Sequence, residues 1–223
     1  MTHSWVHINR NAELTRLIIP GWSILPRYFA TLFPDDNLIV LNPFISNAQQ
    51  LSTYYGQELA SEDTDIKNKS IEDILSNINR IFIFSMGLQW VSEHGPQLLN
   101  MPCDIVSPAV SYSSSELNPM IHHLKTGKQA VLRSFYRRCF HSNDDWSIWK
   151  QQELQSHLTY NNADKLIEWL DYYGRIHVDI PNTQHITVWL DQADPIGEKP
   201  VVDYAGVKLT VRLHNYGHLK FKA

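Results

Sequence analysis

A short apolar strand runs directly into a Ser-Met-Gly turn at Ser85, within the segment R-I-F-I-F-S-M-G-L-Q-W. A sharp turn between a strand and a helix lifts a serine hydroxyl above the end of a parallel sheet, where it can act as a nucleophile. The usual pattern is G-x-S-x-G, and here Ile83 replaces the first glycine while Gly87 keeps the second. The segment predicts a nucleophilic serine, and the alternative is a buried strand followed by a turn without chemistry.

A serine nucleophile needs a base, and the base needs a carboxylate that orients it. The apolar run I-T-V-W-L ends at two candidate acids, of which we favour Asp194 because D-P-I follows the strand end, with Asp191 as the alternative acid or a turn cap. The last strand pattern leads into two candidate bases. We favour His218, directly after Gly217, over His214, which sits where that strand ends.

The charge that develops on a carbonyl oxygen during acyl transfer needs backbone N–H donors. One donor is expected from Met86, the residue after the nucleophile. The other is expected from the loop P-G-W-S after an early strand, through the backbone N–H of Trp22, whose indole would form a wall of the acyl pocket. Taken alone, that loop also fits a glycine turn beside a core tryptophan. The four features together, each at a strand end, indicate a serine hydrolase.

Strand and helix patterns alternate along the chain, which predicts an α/β fold with a mostly parallel sheet covered on both faces. Apolar runs predict strands over residues 14–19, 38–41, 80–84, 103–110, 185–190 and 207–213. Helical spacing predicts helices over residues 65–79 and 86–100, the latter broken late by Gly95-Pro96, and the polar stretch 61–70 indicates a loop.

The alternation of strand and helix patterns stops after residue 110 and resumes near residue 185. The pattern between these positions predicts helices joined by polar turns. A helical insertion between two sheet strands is the pattern of a lid over an active site. We therefore expect residues 1–110 to form the first part of a hydrolase core, 111–175 a helical lid insertion, and 176–223 the second part of the core.

The composition narrows the function. A net charge of −4 and a pI near 6.2 argue against a nucleic-acid partner. Two cysteines, Cys103 and Cys139, lack metal-site or disulfide spacing, so we expect no metal site and a reducing compartment. We also expect no cofactor. The N-terminal residues have no signal-peptide pattern and no stretch reaches membrane-spanning length. These features predict a cytoplasmic protein without a membrane partner, and we expect a monomer.

The motifs P-G-W-S, F-S-M-G-L-Q-W-V-S-E, D-P-I and the closing G-H-L resemble the α/β-hydrolase superfamily. The W-V pair of the elbow and F-Y-R-R-C-F in the insertion are similar to the compact pimeloyl-acyl-carrier-protein methyl ester esterases of biotin synthesis, whose elbow also lacks its first glycine. The resemblance implies Ser85 as nucleophile, Asp194 as acid, His218 as base, and Trp22 with Met86 as oxyanion donors. The chain departs by having five residues after His218, which implies a less firmly held base.

The resemblance also implies a substrate and a partner: hydrolysis of a pimeloyl methyl ester carried by an acyl carrier protein, releasing methanol. Residues 121–141 carry five basic side chains and no acidic one. A basic face would steer a strongly acidic carrier protein, and the alternative is an ordinary solvated helix face. The side chains expected to bind the partner are Lys128, Arg133, Arg137 and Arg138. Rival functions are a general small-acyl carboxylesterase or thioesterase, and a non-catalytic binding protein of the same fold.

Overall fold

A computed structural model of the chain describes residues 3–45, 63–191, 193–200, 208–214 and 217–219. Within these residues one sheet contains eight strands in the order β4-β1-β3-β2-β5-β6-β7-β8. The strands are β1 (His3–Asn9), β2 (Thr15–Ile19), β3 (Asn37–Leu41), β4 (Asp63–Lys69), β5 (Arg80–Phe84), β6 (Cys103–Val106), β7 (Ile186–Asp191) and β8 (Thr210–His214). The neighbouring strands in the series β3-β2-β5-β6-β7-β8 are parallel to each other, whereas β1 is antiparallel to both of its neighbours, β3 and β4.

Helices cover the sheet and form the segment between β6 and β7. The described helices are α1 (Pro26–Leu32), α2 (Ile71–Leu75), α3 (Gly87–His94), α4 (Ser114–Arg138), α5 (Asn143–Gln152), α6 (Leu154–Tyr160) and α7 (Ala163–Tyr172), with 3₁₀ turns at Pro96–Asn100 and Tyr173–Arg175. Side-chain caps define several starts: Ser70 and Ser113 form capping boxes before α2 and α4, and Ser142 and Asn162 cap α5 and α7.

The core lies on both faces of the central strands. Residues 81–84 of β5 and all of β6 are buried, as expected for parallel strands covered on two sides. Aromatic rings fill one face: Phe82 contacts Phe29 and Phe33 at ring-centroid distances of 6.1 and 5.0 Å. This packing fixes the carboxyl end of β5, where Ser85 follows.

The insertion consists of α4 to α7. Helix α4 bends at Gly127, whose φ of −153° and ψ of 51° are not helical, and it packs on α6 and α7. Its second half contacts the loop after the central strand β2 through Phe135, whose ring lies 4.8 Å from that of Trp22. Helices are thus present between β6 and β7, as predicted, and whether they act as a lid stays a prediction.

Most predicted strands are confirmed, but one region was predicted wrongly. The helix predicted over residues 65–79 is strand β4 followed by the short helix α2, and the loop predicted over 61–70 is strand from residue 63 to 69. Strand β1 was not predicted, and β6 ends at Val106 rather than at residue 110. Residues 61 and 62, from the predicted loop, and Val207, from the last predicted strand, lie outside the described residues.

Candidate active site

Ser85 forms a strained turn between β5 and α3. Its φ of +50° lies in the left-handed region that non-glycine residues rarely adopt, and its backbone N–H donates to the Val106 carbonyl at 2.9 Å. The strain is held by close packing behind the turn. A Cβ on Gly87 would lie 2.6 Å from the Ile19 carbonyl oxygen, so only glycine fits. The turn has the geometry of a nucleophile elbow.

The missing first glycine of the elbow pattern has a structural explanation. Ile83 lies inside the sheet, paired with Ile19 on one side and Ile105 on the other, and is fully buried. The close approach occurs instead at Gly21, where a Cβ would lie 2.9 Å from the Ser85 Cβ and 3.1 Å from the Phe84 carbonyl oxygen. The small residue that the elbow needs is supplied by the neighbouring loop.

His218 and Asp194 form a buried pair. The Nδ1 atom of His218 lies 2.6 Å from Oδ2 of Asp194, and the imidazole packs against the ring of Phe84. Asp194 also accepts from Lys199 Nζ at 3.0 Å and from the Ile196 N–H at 2.9 Å. Burial acts to raise the pKa of Asp194, but His218, Lys199 and these hydrogen bonds outweigh it and lower the pKa to about 2. The acid therefore stays ionised beside the imidazole.

The alternative acid and base have other positions. The Oδ2 atom of Asp191 accepts from the Gly217 N–H at 2.8 Å and lies 2.7 Å from His141 Nε2, and its Oδ1 accepts from the Ala193 N–H at 3.0 Å. His214 is the last residue of β8, paired with Asp191 across the strands. Asp194, not Asp191, is hydrogen-bonded to His218.

The hydroxyl of Ser85 faces a tyrosine. Its Oγ lies 3.4 Å from the hydroxyl of Tyr112, and among the described residues no hydrogen bond joins it to His218. Burial raises the pKa of Tyr112, so this phenol stays protonated. The structure thus brings Asp194 and His218 together, while the serine–histidine hydrogen bond is not formed in this state. Catalytic hydrogen bonds are often long or absent without substrate.

The two expected oxyanion donors line the same small cavity as Ser85. Trp22 and Met86 are both buried, and neither backbone N–H has a hydrogen-bond acceptor among the described residues. The indole Nε1 of Trp22 donates to the Leu166 carbonyl at 3.0 Å, which places its ring in the cavity wall. Two unpaired amides beside a serine hydroxyl have the arrangement that an oxyanion hole requires.

The cavity at Ser85 has a volume of about 30 Å³, far below the roughly 300–1,000 Å³ of a typical ligand pocket. A larger groove of about 350 Å³ lies along the bend of α4. The two share Met120, Phe135 and Arg138 as wall residues. Only a few side chains therefore separate Ser85 from an open, mostly apolar groove.

The four predicted partner-binding side chains have different surroundings. Arg133 is exposed. Lys128 is half-buried, donates to the Asn161 carbonyl at 2.8 Å, and has a pKa lowered by burial. Arg137 donates to the Phe140 carbonyl, and Arg138 to the Pro195 carbonyl beside the cavity. The ammonium group of Lys128 is thus hydrogen-bonded within the insertion, whereas Arg133 is open to solvent.

The structure adds to the site several residues that no predicted motif contains, above all Tyr112, His141 and Lys199. Each acts through a contact with a catalytic candidate or its neighbour. Lys199 follows Asp194 by five residues, so a nearby cation was a detectable signal. Tyr112 and His141 carry no motif, because their partners are 27 and 50 residues away in sequence.

Solved structures match nearly the whole chain, although no protein-family model and no curated protein matches it. BioG from Haemophilus influenzae has a TM-score of 0.56 at 13% identity, covering 98% of this chain and 94% of its own. The esterase EaEST from Exiguobacterium antarcticum has a TM-score of 0.63 at 12% identity, covering 97% and 89%. An enol-lactonase from Burkholderia xenovorans LB400 has a TM-score of 0.56 at 10% identity, covering 98% and 89%.

The chain has the α/β-hydrolase fold. The predicted fold class is therefore confirmed, and the match to BioG agrees with the resemblance seen in the motifs. In this fold, Ser85, Asp194 and His218 all follow strands at their carboxyl ends, where open α/β sheets place ligands. Within the described part of the chain, no three His, Cys, Asp or Glu side chains are grouped to hold a metal ion, and no helix has the length and apolar character to cross a membrane.

Proposed function

We propose that the protein is a serine carboxylesterase in which Ser85 is the nucleophile, His218 the base and Asp194 the acid. The observation that carries the proposal is the left-handed turn at Ser85, set between a buried aspartate–histidine pair and a loop with an unpaired amide at Trp22. Such strain persists only where the surrounding structure maintains it, and it concentrates at functional sites. The matched structures of hydrolases and esterases support the reaction class.

In the first half of the reaction, Ser85 Oγ attacks the ester carbonyl carbon and its proton passes to His218 Nε2. Asp194 accepts the Nδ1–H hydrogen bond and stabilises the imidazolium that forms. The backbone N–H groups of Trp22 and Met86 donate to the oxyanion. For this step the serine hydroxyl must turn from Tyr112 toward His218.

The tetrahedral intermediate then collapses: the bond between the carbonyl carbon and the alkoxy oxygen breaks, His218 gives its proton to that oxygen, and the alcohol leaves the acyl-enzyme behind. Water then attacks the acyl-enzyme and gives its proton to His218, which passes it to Ser85 Oγ as the carboxylic acid leaves. Every proton moves between the serine, the imidazole, water and the alcohol, so no cofactor is required.

For the substrate, we propose a pimeloyl methyl ester attached to an acyl carrier protein, which would place the enzyme in the cytoplasm. The apolar groove along α4 supports a substrate with an extended acyl chain, since it adjoins the cavity at Ser85. Residues 121–141 have no acidic side chain, and Arg133 and Arg138 on α4 are exposed. An acidic carrier would be attracted to this surface more strongly at low salt.

A small-acyl carboxylesterase or thioesterase is the second candidate. The cavity of about 30 Å³ at Ser85 favours it, because a short acyl group would need less movement of the wall residues than a seven-carbon chain. The two candidates share every catalytic residue, so they differ only in the acyl groove and the docking surface.

The reaction class is tested with Ser85→Ala. The wild type should hydrolyse p-nitrophenyl acetate and react with a serine-directed fluorophosphonate, and the variant should do neither while keeping its melting temperature within a few degrees. A wild type that neither turns over the ester nor takes up the probe would identify a non-catalytic protein of this fold. Equal turnover by Ser85→Ala would refute the nucleophile.

The substrate is tested by comparing pimeloyl methyl ester on a carrier protein with soluble methyl pimelate. Arg133→Glu should raise KM about threefold or more for the carrier-bound ester and leave the soluble ester unchanged. Lys150→Glu, which reverses an exposed charge elsewhere in the insertion, is the matched control. Equal effects on both esters would contradict carrier docking, and failure to restore growth of a biotin-requiring strain without its esterase would favour the small-acyl candidate.

A further inference from the structure

The segment Trp22–Leu25 is held by buried polar side chains from the helical insertion. We propose that Tyr136, His157 and Asn161 are positioning residues that set the direction of the Trp22 N–H for oxyanion binding. This inference rests on the proposed esterase function and adds a role for the insertion beyond covering the site. We call these three side chains the oxyanion clamp.

Two members of the clamp converge on one carbonyl oxygen. The hydroxyl of Tyr136 donates to the Ser23 carbonyl at 2.9 Å, and Nδ2 of Asn161 donates to the same oxygen at 2.8 Å. Asn161 also donates to the His157 carbonyl at 2.9 Å, which ties the two insertion residues together. Ser23 is fully buried and has a φ of +65°, so its conformation is one that a serine does not adopt without such support.

The third member holds the next part of the loop. The N–H of Leu25 donates to Nε2 of His157 at 3.2 Å, so His157 carries its proton on Nδ1, which donates to the Glu153 carbonyl at 2.9 Å. Burial lowers the pKa of His157 to about 4, which keeps the ring neutral and able to accept. A protonated imidazole would lose this contact.

Planar peptide units connect the clamp to the oxyanion donor. The Ser23 carbonyl and the Ile24 N–H belong to one peptide unit, and that N–H donates to the Gly21 carbonyl at 3.3 Å. The Gly21 carbonyl and the Trp22 N–H belong to another single unit, so they point in opposite directions along it. The two hydrogen bonds to the Ser23 carbonyl therefore orient the Trp22 N–H through two planar peptide units and the hydrogen bond that joins them.

The indole of Trp22 is fixed from the same side. Its Nε1 donates to the Leu166 carbonyl of α7, and its ring contacts Phe135 of α4. Because the Trp22 indole and the Ser23 carbonyl are both hydrogen-bonded to the insertion, the Trp22 N–H cannot turn freely. Backbone donors set in place before the reaction give the strongest stabilisation of an oxyanion.

The test uses Tyr136→Phe and, separately, Asn161→Ala, which each remove one donor to Ser23. Tyr173→Phe is the matched control, since it removes a tyrosine hydroxyl that contacts His94 outside the clamp. The measurements are kcat and KM for a soluble ester, and the inhibition constant of a trifluoromethyl ketone, which becomes an oxyanion when serine adds to it. A carboxylate product analogue serves as the ground-state ligand.

Each clamp variant should lower kcat about 10- to 100-fold with KM changed less than threefold. The inhibition constant of the ketone should rise by a similar factor, while the affinity of each clamp variant for the product analogue stays unchanged. The control variant should keep the wild-type values of all these quantities. If only one of the two clamp variants folds, its kcat and its ketone inhibition constant decide the test. Unchanged kcat and ketone affinity in a folded clamp variant with an active wild type would overturn the clamp alone, whereas an inactive wild type would overturn the esterase proposal and the clamp together.

Discussion

The carboxylate of Asp191 accepts a hydrogen bond from the backbone N–H of Gly217 at 2.8 Å, one residue before His218. The same oxygen lies 2.7 Å from His141 Nε2, so a second aspartate–histidine pair supports the segment that carries the proposed base. Gly217 has a φ of +86°, and a Cβ there would lie 2.7 Å from the Cys139 carbonyl oxygen. Asp191 therefore has a role in holding the base, distinct from that of the proposed triad acid.

The two aspartates should respond differently to the same substitution. We expect Asp194→Asn to lower kcat about 10³- to 10⁴-fold, because the amide cannot stabilise the imidazolium. Asp191→Asn should lower kcat about 10-fold or less and mainly reduce the melting temperature, because it weakens the Gly217 contact. Steady-state kinetics and thermal melts of both variants check this. If Asp191→Asn lowered kcat more than Asp194→Asn does, Asp191 rather than Asp194 would be the catalytic acid.

Removing the hydroxyl of Tyr112 should free the Ser85 hydroxyl. The 3.4 Å contact between them is a weak hydrogen bond that competes with the one required to His218. Tyr112→Phe keeps the ring against Gly197 and should speed fluorophosphonate labelling about two- to tenfold, since a hydrogen bond contributes about 0.5–1.5 kcal/mol. A labelling rate reduced tenfold would show instead that the phenol takes part in the reaction.

Glycine is required at the elbow but not at the bend of α4. An added Cβ on Gly87 meets the backbone oxygens of Ile19 and Pro20 at 2.6 and 2.8 Å, and backbone cannot move aside as a side chain can. We expect Gly87→Ala to lower the free energy of unfolding by about 1–3 kcal/mol or more and to reduce esterase activity. Gly127→Ala, with no atom within 4 Å of the new Cβ, is the matched control. Urea denaturation of both variants separates them, and equal losses would contradict the packing argument.

Glu153 should make stability depend on pH. Burial raises the pKa of its carboxyl to about 7 despite the nearby Arg27 cation, and within the described parts of the chain its Oε2 has no hydrogen-bond partner. Its pKa is higher in the folded than in the unfolded state, so its contribution to stability is present below about pH 4.5 and is lost as pH rises through about 7.

The glutamine side chain in Glu153→Gln cannot ionise, so the variant should not lose this stability as pH rises. We expect the variant to gain stability relative to wild type between pH 5 and pH 8, by at most about 3 kcal/mol. Denaturation at pH 5, 6.5 and 8 measures the difference, with Glu168→Gln on the exposed face of α7 as the control. A difference that stays constant with pH would mean that Glu153 is ionised throughout this range in both states.

Local patterns were enough to predict the central strands and the turn at Ser85. The apolar run of β5, the adjacent glycine and the loop after β2 are each encoded within a few residues. The edge of the sheet could not be predicted in this way. Residues 66, 71, 74, 75 and 78 happen to have helical spacing, yet residues 63–69 pair with β1 as a strand, and that pairing is decided by a partner some 60 residues away.

The same limit applies to the site. Strand ends predicted where Asp194 and His218 would lie, because parallel strands share one carboxyl edge. The contacts of Tyr136 and Asn161 with Ser23 span 113 and 138 residues, and a tyrosine or asparagine in a helical segment carries no sign of such a contact. These polar groups act through the tertiary structure alone.

Cys139 offers a way to measure movement of the segment that carries the proposed base. Its carbonyl accepts from the Leu219 N–H at 3.3 Å, its thiol is fully buried, and burial raises the thiol pKa. A maleimide can reach this sulfur only when the surrounding structure opens. The alkylation rate of Cys139 in a Cys103→Ser background is therefore a measure of how often residues 217–219 lift away from the insertion, and of whether a bound ester keeps them in place.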